Sequence, residues 1–373
     1  MESKFDLGFL GGGQLARMSI QAAQRMGLRC ISLDPSPDSP ASQIADSIAA
    51  PLDDEEALAR LLRSSAFVTW DSEFVPVMPV RSAASAVGLD LNCVVPRLET
   101  LTSIQDKLAQ RKLYEAAGLP SPHAVAMTNA EAVEKELPYP MVLKARFGGY
   151  DGKGTRFVKS REELEALRPV WEGGGWLAEA TVPFVRELAQ MVVRTAAGVK
   201  TFPTMETRQE NFVCDLVVEC ARDATEVAVG AVEAMNGIGL FGVEMFELAN
   251  GEVMINEVAP RPHNSGHYTL DWGGISQFEC HVRACLGLPI PEISGTRHTC
   301  MANLLGLDSE ISIREIAPAA LTEPGTFLHW YEKKESRKGR KMGHLNAYGD
   351  TVEQAVQRAE LARKAFYEAW RKA

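Results

Sequence analysis

Asn256–His267 places a carboxylate (Glu257), an amide (Asn256), a guanidinium (Arg261) and two imidazoles (His263 and His267) within a dozen residues. They follow Gly251-Glu252-Val253-Met254-Ile255, which reads as a short apolar strand after a turn. A second carboxylate, Glu244, lies in the strand-like run Leu240–Phe246. Two acids on adjacent strands joined by the Ala249-Asn250-Gly251 turn can converge on one divalent ion. Mg²⁺ suits such a pair, completing its shell with water and phosphate oxygens. Taken singly, each residue has a plainer explanation: a solvated strand-end acid, or an Asn-Ser-Gly turn. Their combination carries the reading.

Four other segments bear chemistry. Gly11-Gly12-Gly13-Gln14-Leu15-Ala16 satisfies GxGxxG/A, and Asp34 lies where a ribose-binding acid belongs in a dinucleotide fold. A dehydrogenase, a phosphate-binding turn and a purely structural glycine turn are all open on this segment alone. In Met141–Gly154 an apolar strand delivers Lys144, and a loop supplies Gly148, Gly149, Gly152, Lys153 and Gly154. Such a loop can close over phosphates, although the GK[ST] ending of a Walker loop is missing. Its plainer alternative is a mobile hairpin tip. Glu179 and Glu187, flanking the Val182-Pro183 turn, can hold a purine edge and a ribose, or can be solvated acids. His329–His344 is a dense basic run, suited to one phosphate monoester or to solvent.

The elements that position these groups follow from periodicity. Phe5–Leu10, Arg29–Leu33 and Ala66–Trp70 read as strands. Gln14–Met26 and Asp53–Arg63 between them read as helices, predicting an open parallel α/β sheet over roughly residues 1 to 100. One helix is expected from about Ser103 to Ala117, with Gly118 as its stop. An α+β pattern follows to about residue 290, with helices at Arg161–Leu167 and Ala224–Met235. The remainder has short strands, the basic run and the helix Thr351–Arg371. The domain limits are set at 1–102, 103–298 and 299–373.

A chain of 373 residues accommodates these domains. Its net charge of -10 argues against nucleic acid as a partner. No apolar run approaches ~18 residues, so no membrane span is expected. The first residues, Met1–Asp6, lack a signal-peptide pattern, and seven scattered cysteines form no CxxC pair. Free thiols and a cytoplasmic location are expected.

The order of these motifs, with Lys107 added, resembles the ATP-grasp superfamily. Gly11–Leu15, Gly148–Gly152, Asn256–His267 and Gly339–His344 are further similar to the 5-(carboxyamino)imidazole ribonucleotide synthases. The resemblance runs nearly end to end. It implies an N-terminal Rossmann-like pre-ATP-grasp domain, a central ATP-grasp fold and a small C-terminal β-rich domain, in mixed α/β and α+β classes. It also implies an ATP-dependent carbon–nitrogen ligase of purine biosynthesis. Its cofactors would be ATP with Mg²⁺ or Mn²⁺ and its substrates bicarbonate and 5-aminoimidazole ribonucleotide (AIR). It would be a homodimer whose product passes to a separate mutase.

Residue by residue, the resemblance implies that Lys107 and Lys144 contact ATP phosphates under the Gly148–Gly154 loop. Glu179 and Val182 would hold adenine, Glu187 the ribose, and Gln209 a place near ATP. Glu244 and Glu257 would hold the metal, and Arg261, His263 and Asn264 would serve the carbonate chemistry. Glu73, Tyr150 and Asp151 would face AIR, whose phosphate would lie between Gly13-Gln14-Leu15 and Lys333 with Arg340. Departures occur at Ala16, at Trp70-Asp71-Ser72-Glu73 and at Gln209, where some relatives have histidine. Three rivals stand beside this reading: a formate-using ligase of the same superfamily, a dehydrogenase, and a nucleotide sensor without catalysis.

Overall fold

The computed structural model describes residues 4–149, 152–309 and 312–372. Three sheets carry the molecule. In the first, β1 (Phe5–Leu10), β2 (Cys30–Asp34), β3 (Asp46–Ala49) and β4 (Ser65–Trp70) pair in the order β3-β2-β1-β4. All its ladders are parallel, as the strand–helix alternation predicts. β1 is buried along nearly its whole length, which explains its unbroken apolar run. The helix Glu55–Ser64 starts at Asp54, whose carboxylate accepts the N–H groups of Glu56 and Ala57.

A small antiparallel sheet follows: β5 (Ala124–Ala126), β6 (Met141–Ala145), β7 (Thr155–Val158) and β8 (Trp176–Ala180), in the order β5-β8-β6-β7. The β6–β7 connection is the glycine loop. The third sheet has nine strands: β9 (Phe184–Thr195), β10 (Gly198–Thr201), β11 (Met205–Glu210), β12 (Val213–Glu219), β13 (Gly239–Leu248), β14 (Val253–Ala259), β15 (His298–Leu305), β16 (Thr326–Trp330) and β17 (Lys341–Gly349). Its order is β14-β13-β9-β11-β12-β15-β17-β16, with β10 paired to β9. The C-terminal strands thus continue the central sheet through β12 and β15.

Two expectations change. The helix expected over Ser103–Ala117 is two helices, Leu98–Gln105 and Lys107–Ala116. Asp106 separates them in an extended conformation, because its carboxylate caps the second helix at Leu108 N–H and is held by Arg146. Between residues 120 and 290 there are also helices at Ala130–Glu134, Arg168–Trp171 and Gln277–Cys285. These segments are short, and their apolar spacing is hard to tell from that of strands.

The closing helix, Val352–Trp370, buries Phe366 against Trp330 and Trp370, with ring centroids 6.0 and 5.8 Å away. Replacing Phe366 with alanine is expected to cost about 3–5 kcal/mol through lost burial and the cavity left behind. Urea unfolding measures this, and a loss under about 1 kcal/mol would contradict such packing.

Candidate active site

The three sheets enclose one continuous cleft of about 1130 Å³, roomy enough for more than one small ligand. Gln14 and Leu15 from the first sheet's glycine turn line it. So do Lys144, Lys153 and Glu179 from the small sheet, and Glu187, Glu244, Asn256, Glu257, Arg261 and His263 from the large one. Lys333 and Arg340 line it from the C-terminal loop. The first and last chemical motifs of the sequence therefore meet.

Glu244 on β13 and Glu257 on β14 are direct cross-strand partners, so their carboxylates share one face. The next pair is Met245 with Ile255, leaving Asn256 as an extra residue in a β-bulge. Simple alternation would turn Asn256 away from Glu257, yet here both line the cleft. Burial, with the facing Glu257 second, pushes the Glu244 carboxyl up to about 8. Lys107 Nζ stands 2.7 Å from Glu257 Oε2. Among the described residues no cluster of three or more acidic, histidine or cysteine ligands is present. Two facing carboxylates in a cleft that also holds lysines suit a hard divalent cation sharing its shell with phosphate oxygens and water.

The Glu244 shift has a measurable sign. Below the ordinary carboxyl value of 4.5, folded and unfolded chains both carry the proton. Between there and about 8 the folded protein keeps a proton that the unfolded chain has lost. Stability of the metal-free protein should therefore fall as pH rises through that window, then level off. Urea titrations in EDTA at about pH 6 and about pH 9 test this, and Glu244→Gln should flatten the slope. An unchanged slope in Glu244→Gln would refute the assignment.

Glu179 is buried between Lys144 and Arg111, whose Nη2 lies 3.0 Å from Glu179 Oε2. Burial alone would raise its carboxyl, but Arg111 and Lys144 outweigh that and hold it below the usual range. Burial in turn lowers the Lys144 ammonium. Lys144 Nζ also lies 3.4 Å from Asn256 Oδ1, and Arg111 Nη1 donates to the Asn256 carbonyl at 2.7 Å. Arg111 thus ties the small sheet to the bulge. Val182 lines the same end of the cleft, beside Phe184, which stacks on Phe246 at 4.6 Å. Glu187, its carboxyl raised by burial, accepts from Gln209 Nε2 at 3.3 Å.

Gly149, Gly152, Lys153 and Gly154 line the cleft, while Gly148 lines an adjoining recess. Gly152 has a φ of +73°, and a Cβ there would lie 2.8 Å from Phe212 Cβ in the turn between β11 and β12, so the loop docks on that turn only through glycine. Tyr150 and Asp151 lie outside the described residues.

Arg261 and Glu73, expected to act separately, form an ion pair at 2.6 Å. His263 Nε2 sits 3.4 Å from Glu244 Oε1, and its Nδ1 lies 2.9 Å from Ser265 Oγ. Burial, then Arg261 and Lys341, drives the His263 imidazole down to about 3, so it is neutral. Asn264 exchanges both amide bonds with buried Asn303, at 3.0 and 2.7 Å. At the far end, Lys333 Nζ donates to the Lys341 carbonyl at 2.7 Å and Arg340 Nη1 to the Glu335 carbonyl at 2.9 Å.

The Gly13 amide differs from expectation. It donates to Asp71 Oδ2 at 3.1 Å, and Ala16 N–H to Asp71 Oδ1 at 2.6 Å. Gly12 N–H donates to Asp34 at 2.7 Å. Two carboxylates thus take three of the turn's N–H groups, leaving Gln14 and Leu15 as the part of the turn that lines the cleft. An NAD pyrophosphate would meet these acids, which removes the argument for a dehydrogenase. Arg111, Asp71 and Lys341 were missed in the sequence. Arg111 is one turn after Lys107, a spacing that puts both on one helix face and could have flagged it. Asp71 offered no signal, since its partners lie 55 and 58 residues away.

The parallel N-terminal sheet, the glycine loop between antiparallel strands and the paired acids define an ATP-grasp ligase. Family models match residues 5–105 as a ribonucleotide synthetase preATP-grasp domain and 112–278 as an ATP-grasp domain. A third matches 299–358 as a phosphoribosylaminoimidazole carboxylase C-terminal domain. The N5-carboxyaminoimidazole ribonucleotide synthase of Synechococcus elongatus is 38% identical, covering 91% of this chain and 88% of that protein. The phosphoribosylaminoimidazole carboxylase of Schizosaccharomyces pombe is also 38% identical, covering 97% of this chain and 68% of that one. The crystal structure of the Aspergillus clavatus N5-carboxyaminoimidazole synthase with ADP and 5-aminoimidazole ribonucleotide superimposes with a TM-score of 0.88. It is 32% identical, covering 99% of this chain and 100% of that one. The chain belongs to the N5-carboxyaminoimidazole ribonucleotide synthase family.

Proposed function

We propose that this ligase couples ATP hydrolysis to the carboxylation of AIR at its exocyclic amine, giving N5-carboxyaminoimidazole ribonucleotide. The observation that carries the reading is the single cleft joining the lysine and paired-acid groups to Arg261 and, beyond them, to Gln14, Lys333 and Arg340. A bicarbonate oxygen attacks the γ-phosphorus of ATP, and ADP leaves. The amine nitrogen then attacks the carbon of carboxyphosphate, or of CO₂ freed from it within the closed site; phosphate leaves, and the nitrogen gives up a proton.

Such phosphoryl transfer needs charge neutralisation and in-line placement more than a protein nucleophile. Lys107 and Lys144 neutralise the phosphates, and the Gly148–Gly154 loop excludes water from the labile intermediate. Val182 and the Phe184–Phe246 stack receive adenine with Glu179, and Glu187 with Gln209 takes the ribose. Glu244 and Glu257 would hold Mg²⁺ or Mn²⁺, which would supply positive charge to the transferred phosphoryl group. Arg261, aimed by Glu73, offers its fork to the carbonate. Neutral His263 orients Glu244, and Asn264 is fixed by Asn303. Gln14, Leu15, Lys333 and Arg340 receive the AIR phosphate, with Glu73 toward its ring; Tyr150 and Asp151 keep the AIR-binding role that the resemblance implies.

The domain limits 1–102, 103–298 and 299–373, a homodimer, a cytoplasmic setting and hand-over of the product to a mutase belong to the same proposal. Among the described residues no helix is long and apolar enough to cross a membrane. The test is ADP release with Mg-ATP and bicarbonate, with and without AIR. Stimulation by AIR that depends on bicarbonate is expected. ATP turnover indifferent to AIR would send the assignment to another amine.

A further inference from the structure

Lining the same cleft, with His263 and Arg261 nearby, is a histidine with no role so far, His267. It belongs to the short helix Asn264–Leu270 and is almost wholly buried, yet it lines the cleft. Gln277, the first residue of the helix Gln277–Cys285, is fully buried. Gln277 Oε1 accepts the His263 backbone N–H at 3.0 Å. A main-chain N–H can only donate, so this bond fixes which end of the amide is oxygen. Gln277 Nε2 therefore carries both hydrogens. It gives one to the His263 carbonyl at 2.9 Å and the other to His267 Nδ1, also at 2.9 Å.

His267 Nδ1 is thereby an obligatory acceptor. The ring's proton must sit on Nε2, and a second proton on Nδ1 would face the amide hydrogens. Gly266 is part of this arrangement, since a Cβ there would lie 2.4 Å from Gln277 Oε1. The ring itself is wedged against Phe278 and His344, with centroids 5.5 and 4.8 Å away. Nε2 has no hydrogen-bond partner among the described residues, and it is not sealed off as Nε2 of His344 is. Burial, with His263, His329, Lys341 and Arg261 nearby, also keeps the ring uncharged.

We infer that His267 is a binding residue whose Nε2–H, locked in place by Gln277, donates to an oxygen of the bicarbonate-derived group in the cleft. A neutral donor in cationic surroundings suits an anionic oxygen and rejects a ligand that offers only N–H groups there. Because the proton cannot shift to Nδ1 without breaking the Gln277 bond, His267 binds and does not act as a base. Gln277 is the positioning residue. This inference rests on the ligase reading above for the identity of the anion.

The deciding experiment is nitrogen NMR on the full-length protein with ¹⁵N-labelled histidine, assigned through His267→Gln. The Nε2–H form is expected in the free protein. Its Nε2 signal should move when bicarbonate is added with AIR and a non-hydrolysable ATP analogue. An Nδ1–H form, or an Nε2 signal that bicarbonate leaves unmoved, overturns the inference. Kinetics supply a second arm. His267→Leu should raise KM for bicarbonate about tenfold or more, as expected for losing a hydrogen bond to a charged group. ADP affinity should stay unchanged, which also reports a folded protein. His267→Gln, which restores an N–H near the lost one, should recover most of the loss. Unchanged bicarbonate KM in a folded His267→Leu protein would equally overturn it. Failure of the ligase reading itself appears elsewhere, as wild-type ADP release that ignores AIR and bicarbonate.

Discussion

Glu257→Gln is expected to lower ADP formation by about 10³-fold, ~4 kcal/mol of transition-state stabilisation, while leaving the protein folded. Glu257 faces Glu244 across the β13–β14 ladder and holds Lys107 at 2.7 Å. The substitution would thus remove a charged donor from the proposed metal site and release the lysine proposed to meet phosphate. A glutamine oxygen keeps the shape but not the charge, and a hard cation needs the charge. The fold should survive because Glu257 is partly exposed, its side chain retaining 39% of its accessibility. Removing it also lowers the cost of ionising the facing Glu244, which offsets the lost Lys107 pair, so the metal-free variant should stay within about 1 kcal/mol of the parent. A coupled ADP assay together with urea unfolding checks both halves. Turnover within about tenfold of the parent would refute the metal role.

Arg261→Ala should combine a catalytic and a structural loss. Carboxylated product is expected to fall about 10³-fold, because the fork proposed to hold the carbonate is gone. Stability should fall by on the order of 3 kcal/mol, because Glu73 keeps its charge in a largely buried place without its partner. The two side chains retain only 16% and 15% of their accessibility. Arg261→Lys separates the effects. It restores a charge near Glu73 and so most of the stability, but it lacks the planar fork and should recover little product. Product formation rates and urea midpoints, measured side by side, distinguish the outcomes. A product rate in Arg261→Ala within about tenfold of the parent would remove Arg261 from the carbonate site.

Much of the site was legible in the sequence because its residues come in short local runs. The twelve residues from Asn256 to His267 and the glycine loop after Lys144 announce their chemistry through spacing alone. So does the N-terminal strand–glycine–helix pattern, whose parallel sheet follows from apolar runs separated by helices. Local propensity also explains one miss. Asp106 interrupts a helical pattern, and its preference for capping was outweighed in the reading by the apolar spacing around it. The resulting break starts a new helix at Lys107 and so places that lysine against Glu257.

The tertiary structure decided what depends on partners far apart in the chain. The bulge at Asn256 exists only in the pairing of β14 with β13, and it turns two successive residues toward one cleft. Arg111, Glu179 and Lys144 become one charge network only when a helix, two strands and the bulge converge. Asp71 closes the glycine turn from the end of a strand more than fifty residues away. Gln277 selects the proton position of His267 through bonds that no motif records. Types and local spacing therefore determined which chemistry this chain can attempt. Long-range packing determined which of those groups are charged, which are neutral and which are already engaged, because burial and distant partners govern ionisation and hydrogen bonding.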